Sequence, residues 1–207
     1  MAEGGDFQKG ISDYNVMVVL QDITPDHLTT GSKLIRRWMR QGNPAPLLID
    51  RAHLESSKDV FPIEFSDMKG VHKILFGDNP LENLEIDREH LRLQCEGEMK
   101  QKILTLRERY VELYPCTRKV RKLILRSSSS FFAIFRGYLR LVNEEVPAKK
   151  QEVLTQLNRR TEFDTGIFDR ILEARTGRRK IARDEVLPLF ERYLTTLEKM
   201  ASLLDAL

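Results

Sequence analysis

Cysteine is scarce, and the two present, Cys95 and Cys116, stand outside any Cys-x-x-Cys pair. That spacing excludes a disulfide framework and the common zinc modules. Four histidines, His27, His53, His72 and His90, are scattered without metal-ligand spacing. No low-complexity tail is present, and nothing resembles a Walker loop. No apolar run approaches the roughly 20 residues needed to span a bilayer, and the N-terminus lacks the basic start and apolar core of a signal peptide. A cytoplasmic protein without membrane partners is expected.

What is present is a globular mixture, 41% apolar and 31% charged over 207 residues, enough for one or two domains. The net charge of +3 is unevenly spread. Residues 1–86 hold 9 Lys+Arg against 13 Asp+Glu, net −4; residues 87–207 hold 25 against 18, net +7. An acidic first part suits a cation, and a basic second part suits a polyanion.

The first 86 residues alternate in type. A strand is expected from Asn15 to Leu20, then an amphipathic helix from Asp26 to Gln41 with Asp26 as its cap and Gly42 as its stop. Leu47-Leu48-Ile49 reads as a second strand, and Ala52 to Ser57 as one or two helical turns. Val60-Phe61-Pro62-Ile63-Glu64-Phe65 alternates with period 2, which predicts a strand, and Pro62 makes it an edge strand or one paired on a single side there. Lys73-Ile74-Leu75-Phe76 reads as a last strand before the turn Gly77-Asp78-Asn79-Pro80. Together these predict a small α/β domain with a mixed sheet.

From Asp87 the pattern is helical. One helix is expected from Asp87 to Tyr114, with Leu91, Cys95, Met99, Ile103, Leu106, Tyr110 and Leu113 on one face, ended by Pro115. A second runs from Thr117 to Glu145 and a third from Pro147 to Arg160. The fourth spans Asp164 to Thr176 and stops at Gly177, and the fifth runs from Arg183 to the end. The fold class expected is α+β: a mixed-sheet domain over 1–86 and an all-α bundle of about five helices over 87–207.

The residues with chemistry in them lie near the start. Asp13 and Asn15 stand two apart at the mouth of the apolar run Val16-Met17-Val18-Val19-Leu20, after the glycine-spaced lead-in Gly4-Gly5-Asp6-Phe7-Gln8-Lys9-Gly10. Positions i and i+2 of a strand share a face. A glycine turn feeding a strand with two adjacent oxygen ligands can hold phosphates and a divalent cation together. That pattern points to phosphoryl or nucleotidyl transfer, although Asn15 supplies an oxygen without a charge.

The run Gly5-x4-Gly10-x-Ser12-Asp13-x-Asn15, followed by Phe61-Pro62-Ile63-Glu64-Phe65 and Ile74-Leu75-Phe76-Gly77, resembles the nucleotidyltransferase superfamily of aminoglycoside adenylyltransferases and minimal bacterial nucleotidyltransferases. The motifs cover the first 86 residues, and the remainder is similar in architecture only. The resemblance implies Mg²⁺ as cofactor, with Asp13 and Asn15 as first and second metal ligands and Glu64 as the third acid on a neighbouring strand. It also implies catalytic roles for Asp13 and Glu64, and nucleotide contacts at Gly4 and Gly5. Asp67, on the aromatic face of the expected strand, and Asp59, in a turn, rank below Glu64. On this alignment the family's phosphate-gripping Ser falls at Met1, and its first helix and strand fall before the chain begins.

Two cations clamping an attacking and a leaving oxygen need several carboxylates around them. An Asn in place of one acid removes a negative charge there. The expectation is therefore a degenerate relative that binds nucleotide or a partner without efficient catalysis. The alternative is an active Mg²⁺-dependent enzyme moving a nucleotidyl group from an NTP to a small molecule, tRNA or protein. Two basic clusters, Arg118-Lys119-x-Arg121-Lys122 with Arg126, and Arg175 with Arg178-Arg179-Lys180, are candidates for RNA or a phosphorylated ligand. Their plainer reading is a solvated face. The sheet edge left open by the missing strand is expected to favour a homodimer or pairing with another chain.

Overall fold

The computed structural model describes residues 16–161 and 163–207. Its architecture is α+β: a small parallel sheet near the N-terminus and a helical bundle after it. The chain divides into two compact units, Met1–Asp87 and Arg88–Leu207.

In the first unit, strand β1 (Met17–Leu20) pairs in parallel with β2 (Leu47–Asp50), in the register Met17 to Leu47 and Leu20 to Asp50. Parallel pairing requires a crossover, and helix α1 (Pro25–Met39) supplies it. Thr24, rather than the expected Asp26, caps α1: its side chain accepts from the His27 amide, while the His27 ring accepts from the Thr24 amide. Pro25 takes the first helical position, where its missing N–H costs nothing. Helix α2 (Arg51–Ser56) follows β2 directly, with Asp50 Oδ1 accepting from the His53 amide at 2.6 Å.

Two expected strands are not strands. Pro62–Gly70 forms helix α3, and 73–76 has no regular structure. Period-2 alternation over six residues also fits a helix, and here the longer spacing decides. Phe61, Phe65 and Met68 recur at i, i+4 and i+7, and Pro62 sits at the first helical position rather than on a sheet edge. Phe61 and Phe65 meet edge-on at 6.3 Å. Among the described residues the sheet therefore has two parallel strands rather than a mixed set. Its core gathers Ile49, Leu54, Phe65, Leu81 and Leu84, with Met17, Val19, Met68 and Ile86 packed against them.

The second unit begins with α4 (Arg88–Leu113), which buries Leu91, Cys95, Met99, Ile103 and Leu106 along the expected stripe. The single helix expected over Thr117 to Glu145 is instead three pieces: α5 (Thr117–Ser127), a 3-10 turn (Ser128–Phe131) and α6 (Phe132–Leu141). The serines account for the break. Ser127 Oγ donates to Leu123 O at 2.9 Å, Ser128 Oγ to Leu125 O at 3.3 Å and Ser130 Oγ to Ser127 O at 2.8 Å, and such back-bonding bends a helix. Asn143 ends α6 in the left-handed conformation (φ 57°), with the Glu144 amide donating to Leu139 O.

Helix α7 (Lys150–Arg160) starts three residues after Pro147, and α8 (Thr165–Arg175) and α9 (Val186–Asp205) complete the bundle. The core is aromatic. Phe135 lies 5.0 Å from Phe168 and 5.2 Å from Phe163 between ring centres, and Phe168 lies 5.4 Å from Tyr193. Such edge-to-face pairs add about 0.5–1.5 kcal/mol each beyond burial. Helix α4 packs on α5, α6 and α9, and Gly137 makes the α4–α6 approach close.

Candidate functional site

The sequence places the Asp13 and Asn15 ligands just before β1. Gly4, Gly5, Asp13 and Asn15 all lie outside the described residues. Immediately after Asn15, Val16 O accepts from the Leu47 amide at 2.8 Å, so the strand pairing extends to the neighbouring residue. Val16 to Leu20 is half-buried along its length.

Glu64 departs from its expected place. It sits in the first turn of α3 as an exposed side chain, beside the buried Ile63 and Phe65, and not on a strand neighbouring β1. Asp67, half-buried, shares that helix, and Asp59 lies in the turn before it. The acids of β1 and β2 reduce to Asp50, whose Oδ1 caps α2. Among the described residues no three His, Cys, Asp or Glu side chains gather closely enough to hold a metal ion.

The basic residues give the clearer geometry. The two clusters, about 50 residues apart in sequence, meet in space within the second unit. Arg175, on the last turn of α8, donates through Nη1 to Leu125 O at 3.2 Å and also meets the Ser129 hydroxyl. Arg121 of α5 donates through Nη1 to Ile181 O at 3.4 Å. Each cluster thus sends one arginine across to backbone beside the other. Helix α8 ends because Gly177 adopts a left-handed φ of 74°, with the Arg178 amide donating to Glu173 O, and this turns Arg178-Arg179-Lys180 out as an exposed loop beside α5. Sequence spacing alone carried no sign of this meeting.

The charged and polar groups around the loop have clear electrostatics. The carboxyl of Glu185 is held below the ordinary glutamate range, first by the Ala182 amide that donates to it at 2.8 Å and then by Arg170. Beneath the surface, burial pushes the Tyr193 phenol well above the usual tyrosine value. The Ser127 hydroxyl at 3.1 Å and the Arg175 charge pull the other way, less strongly. Arg170 has one buried nitrogen, Nη1, without a hydrogen-bond partner among the described residues, while its Nη2 donates to Lys180 O at 3.0 Å and to Glu185 at 2.8 Å.

Among the described residues no helix is long and apolar enough to cross a membrane. The chain matches no family model, no curated protein and no solved structure.

Proposed function

We propose that this chain is a nucleotidyltransferase-like protein that binds a nucleoside triphosphate with Mg²⁺ but transfers its nucleotidyl group poorly. The observation that carries the reading is the β1–α1–β2 crossover. The apolar run that follows Asp13-x-Asn15 in the sequence is a strand, paired in parallel with the next one. A glycine-rich segment running into a strand offers backbone amides to phosphate oxygens.

The weak chemistry follows from charge. With Glu64 on a helix, Asp13 is the one carboxylate the motif itself brings to the cation, and Asn15 adds an oxygen only. Triphosphate oxygens can complete the shell of one Mg²⁺, but a second cation has too little negative charge to hold it. Glu64 is then a surface residue of α3 and not the third metal ligand.

Calorimetric titration with ATP and with GTP, each with and without Mg²⁺, tests this. Mg²⁺-dependent binding that Asp13→Ala abolishes and Glu64→Gln leaves intact is the expected result. Equal binding by Asp13→Ala, or none in the parent, removes the reading. Fast pyrophosphate release with an acceptor would favour the active-enzyme alternative.

A further inference from the structure

The positive charge of the second unit is not evenly matched. On α4, α7 and α9 several cations are paired with acids: Lys100 with Glu96 and Asp205, Arg107 with Glu198, Lys149 with Glu152, Arg192 with Asp164. Around α5 the balance differs. From Tyr114 to Asn143 the sequence has 7 Lys+Arg and no Asp or Glu, and from Arg175 to Arg183 it has 5 and none. The crossing bonds of Arg121 and Arg175 bring these two acid-free stretches together. Among the described residues Arg118, Lys122, Arg126, Arg178, Lys180 and Arg183 are exposed, and none forms an ion pair.

From this juxtaposition we infer that the face made by α5 and the α8–α9 turn binds the phosphodiester backbone of a nucleic-acid strand. Spacing supports it. Arg118, Lys122 and Arg126 follow at i, i+4 and i+8 on the outer side of α5, so they rise by about 6 Å per step. That is close to the interval at which phosphates succeed one another along a strand. Exposed cations with no carboxylate to give up meet phosphates at little cost, and counterions released from the strand drive the association.

The surroundings argue against two other partners. A membrane-binding basic helix needs an apolar side to insert. The apolar side of α5, Val120 and Ile124, is buried in the bundle instead. An acidic protein surface would be met by scattered pairs across a mixed rim, whereas here the cations stand in rows and the two acids of the turn, Asp184 and Glu185, are confined to its α9 end. The face lies wholly within the second unit and does not depend on nucleotide binding by the first.

The test uses the full chain and a fluorescein-labelled 20-nucleotide strand, as RNA and as DNA of one sequence, with anisotropy read over a salt series. The parent should bind at least one of them, with log Kd rising linearly with log salt. The triple variant Lys122→Glu, Arg126→Glu, Arg178→Glu should lose at least about tenfold in affinity, and its salt slope should fall by roughly two for three lost phosphate contacts. Arg121 and Arg175 are left alone because they hold the turn in place, and circular dichroism melting checks that the variant folds. A control reversing Arg88, Arg159 and Lys199, cations elsewhere in the unit, should keep both affinity and slope. Equal losses in the two triples, a parent indifferent to salt, or no binding to either strand overturns the inference. So does binding to phosphatidylserine vesicles or polyglutamate with the strands ignored. Binding to RNA alone, to DNA alone or to both supports it and tells the sources apart.

Discussion

Gly137 owes its place to the sulfur of Cys95. A Cβ at that position would run into Sγ, with Leu91 Cδ1 next nearest, and both partners belong to the buried stripe of α4. Gly137→Ala must therefore push α6 off α4 or twist Cys95 from its rotamer, at a cost of about 1–3 kcal/mol. Chemical denaturation should show that loss, and Cys95→Ala in the same chain should recover part of it. Tyr193 carries a second effect confined to one side chain. Its phenol titrates in the fold above the usual value near 10, so the folded state holds the proton longer than the unfolded chain. Stability is complete below the unfolded value and falls as pH rises beyond it. Tyr193→Phe should lose about 1 kcal/mol at neutral pH with the Ser127 bond, and should no longer show this alkaline loss in melts at about pH 9 to 11.

Helix ends and breaks are where element-scale effects concentrate. Gly177 closes α8 with a left-handed φ of 74°, which a side chain adopts at a cost of about 1–2 kcal/mol. Gly177→Ala should lower the melting temperature modestly and weaken nucleic-acid binding more than its stability loss implies, because the Arg178-Arg179-Lys180 loop starts at that residue. Such elements were unequally legible in the sequence. The stripe of α4 could be read because its apolar residues repeat over 26 positions, long enough for period 3.6 to stand clear. The run 60–65 could not, since six residues fit either period and only Met68, beyond the run, tips the balance to a helix. The Ser127–Ser130 break was hidden for a different reason. Serine is tolerated in helices, and whether its hydroxyl bonds back onto the preceding turn depends on local geometry. The meeting of the two basic clusters depends on tertiary packing, which spacing does not encode. Of the candidate site, the strand after Asn15 was legible, but the place of Glu64 was lost with the misread run around it.

Over the whole molecule, the two units differ in what holds them. Among the described residues the first rests on a cluster of five buried apolar side chains beside a two-stranded sheet, and α1 buries none of its residues. The second closes on Phe131, Phe132, Phe135, Phe163, Phe168 and Tyr193 within a sheath of aliphatic residues. Local opening should track that difference. Amide hydrogen exchange at neutral pH is expected to be slowest in α6, α8 and α9 and faster by orders of magnitude in β1 and β2; equal protection across the chain would contradict this difference between the cores. The two thiols supply an internal clock for the same process. Cys116 is exposed between α4 and α5, while Cys95 has no solvent-accessible surface beneath Gly137. A colour-yielding disulfide reagent should consume one equivalent at once and the second only as fast as the bundle parts, so that the slow phase times the breathing of the folded protein.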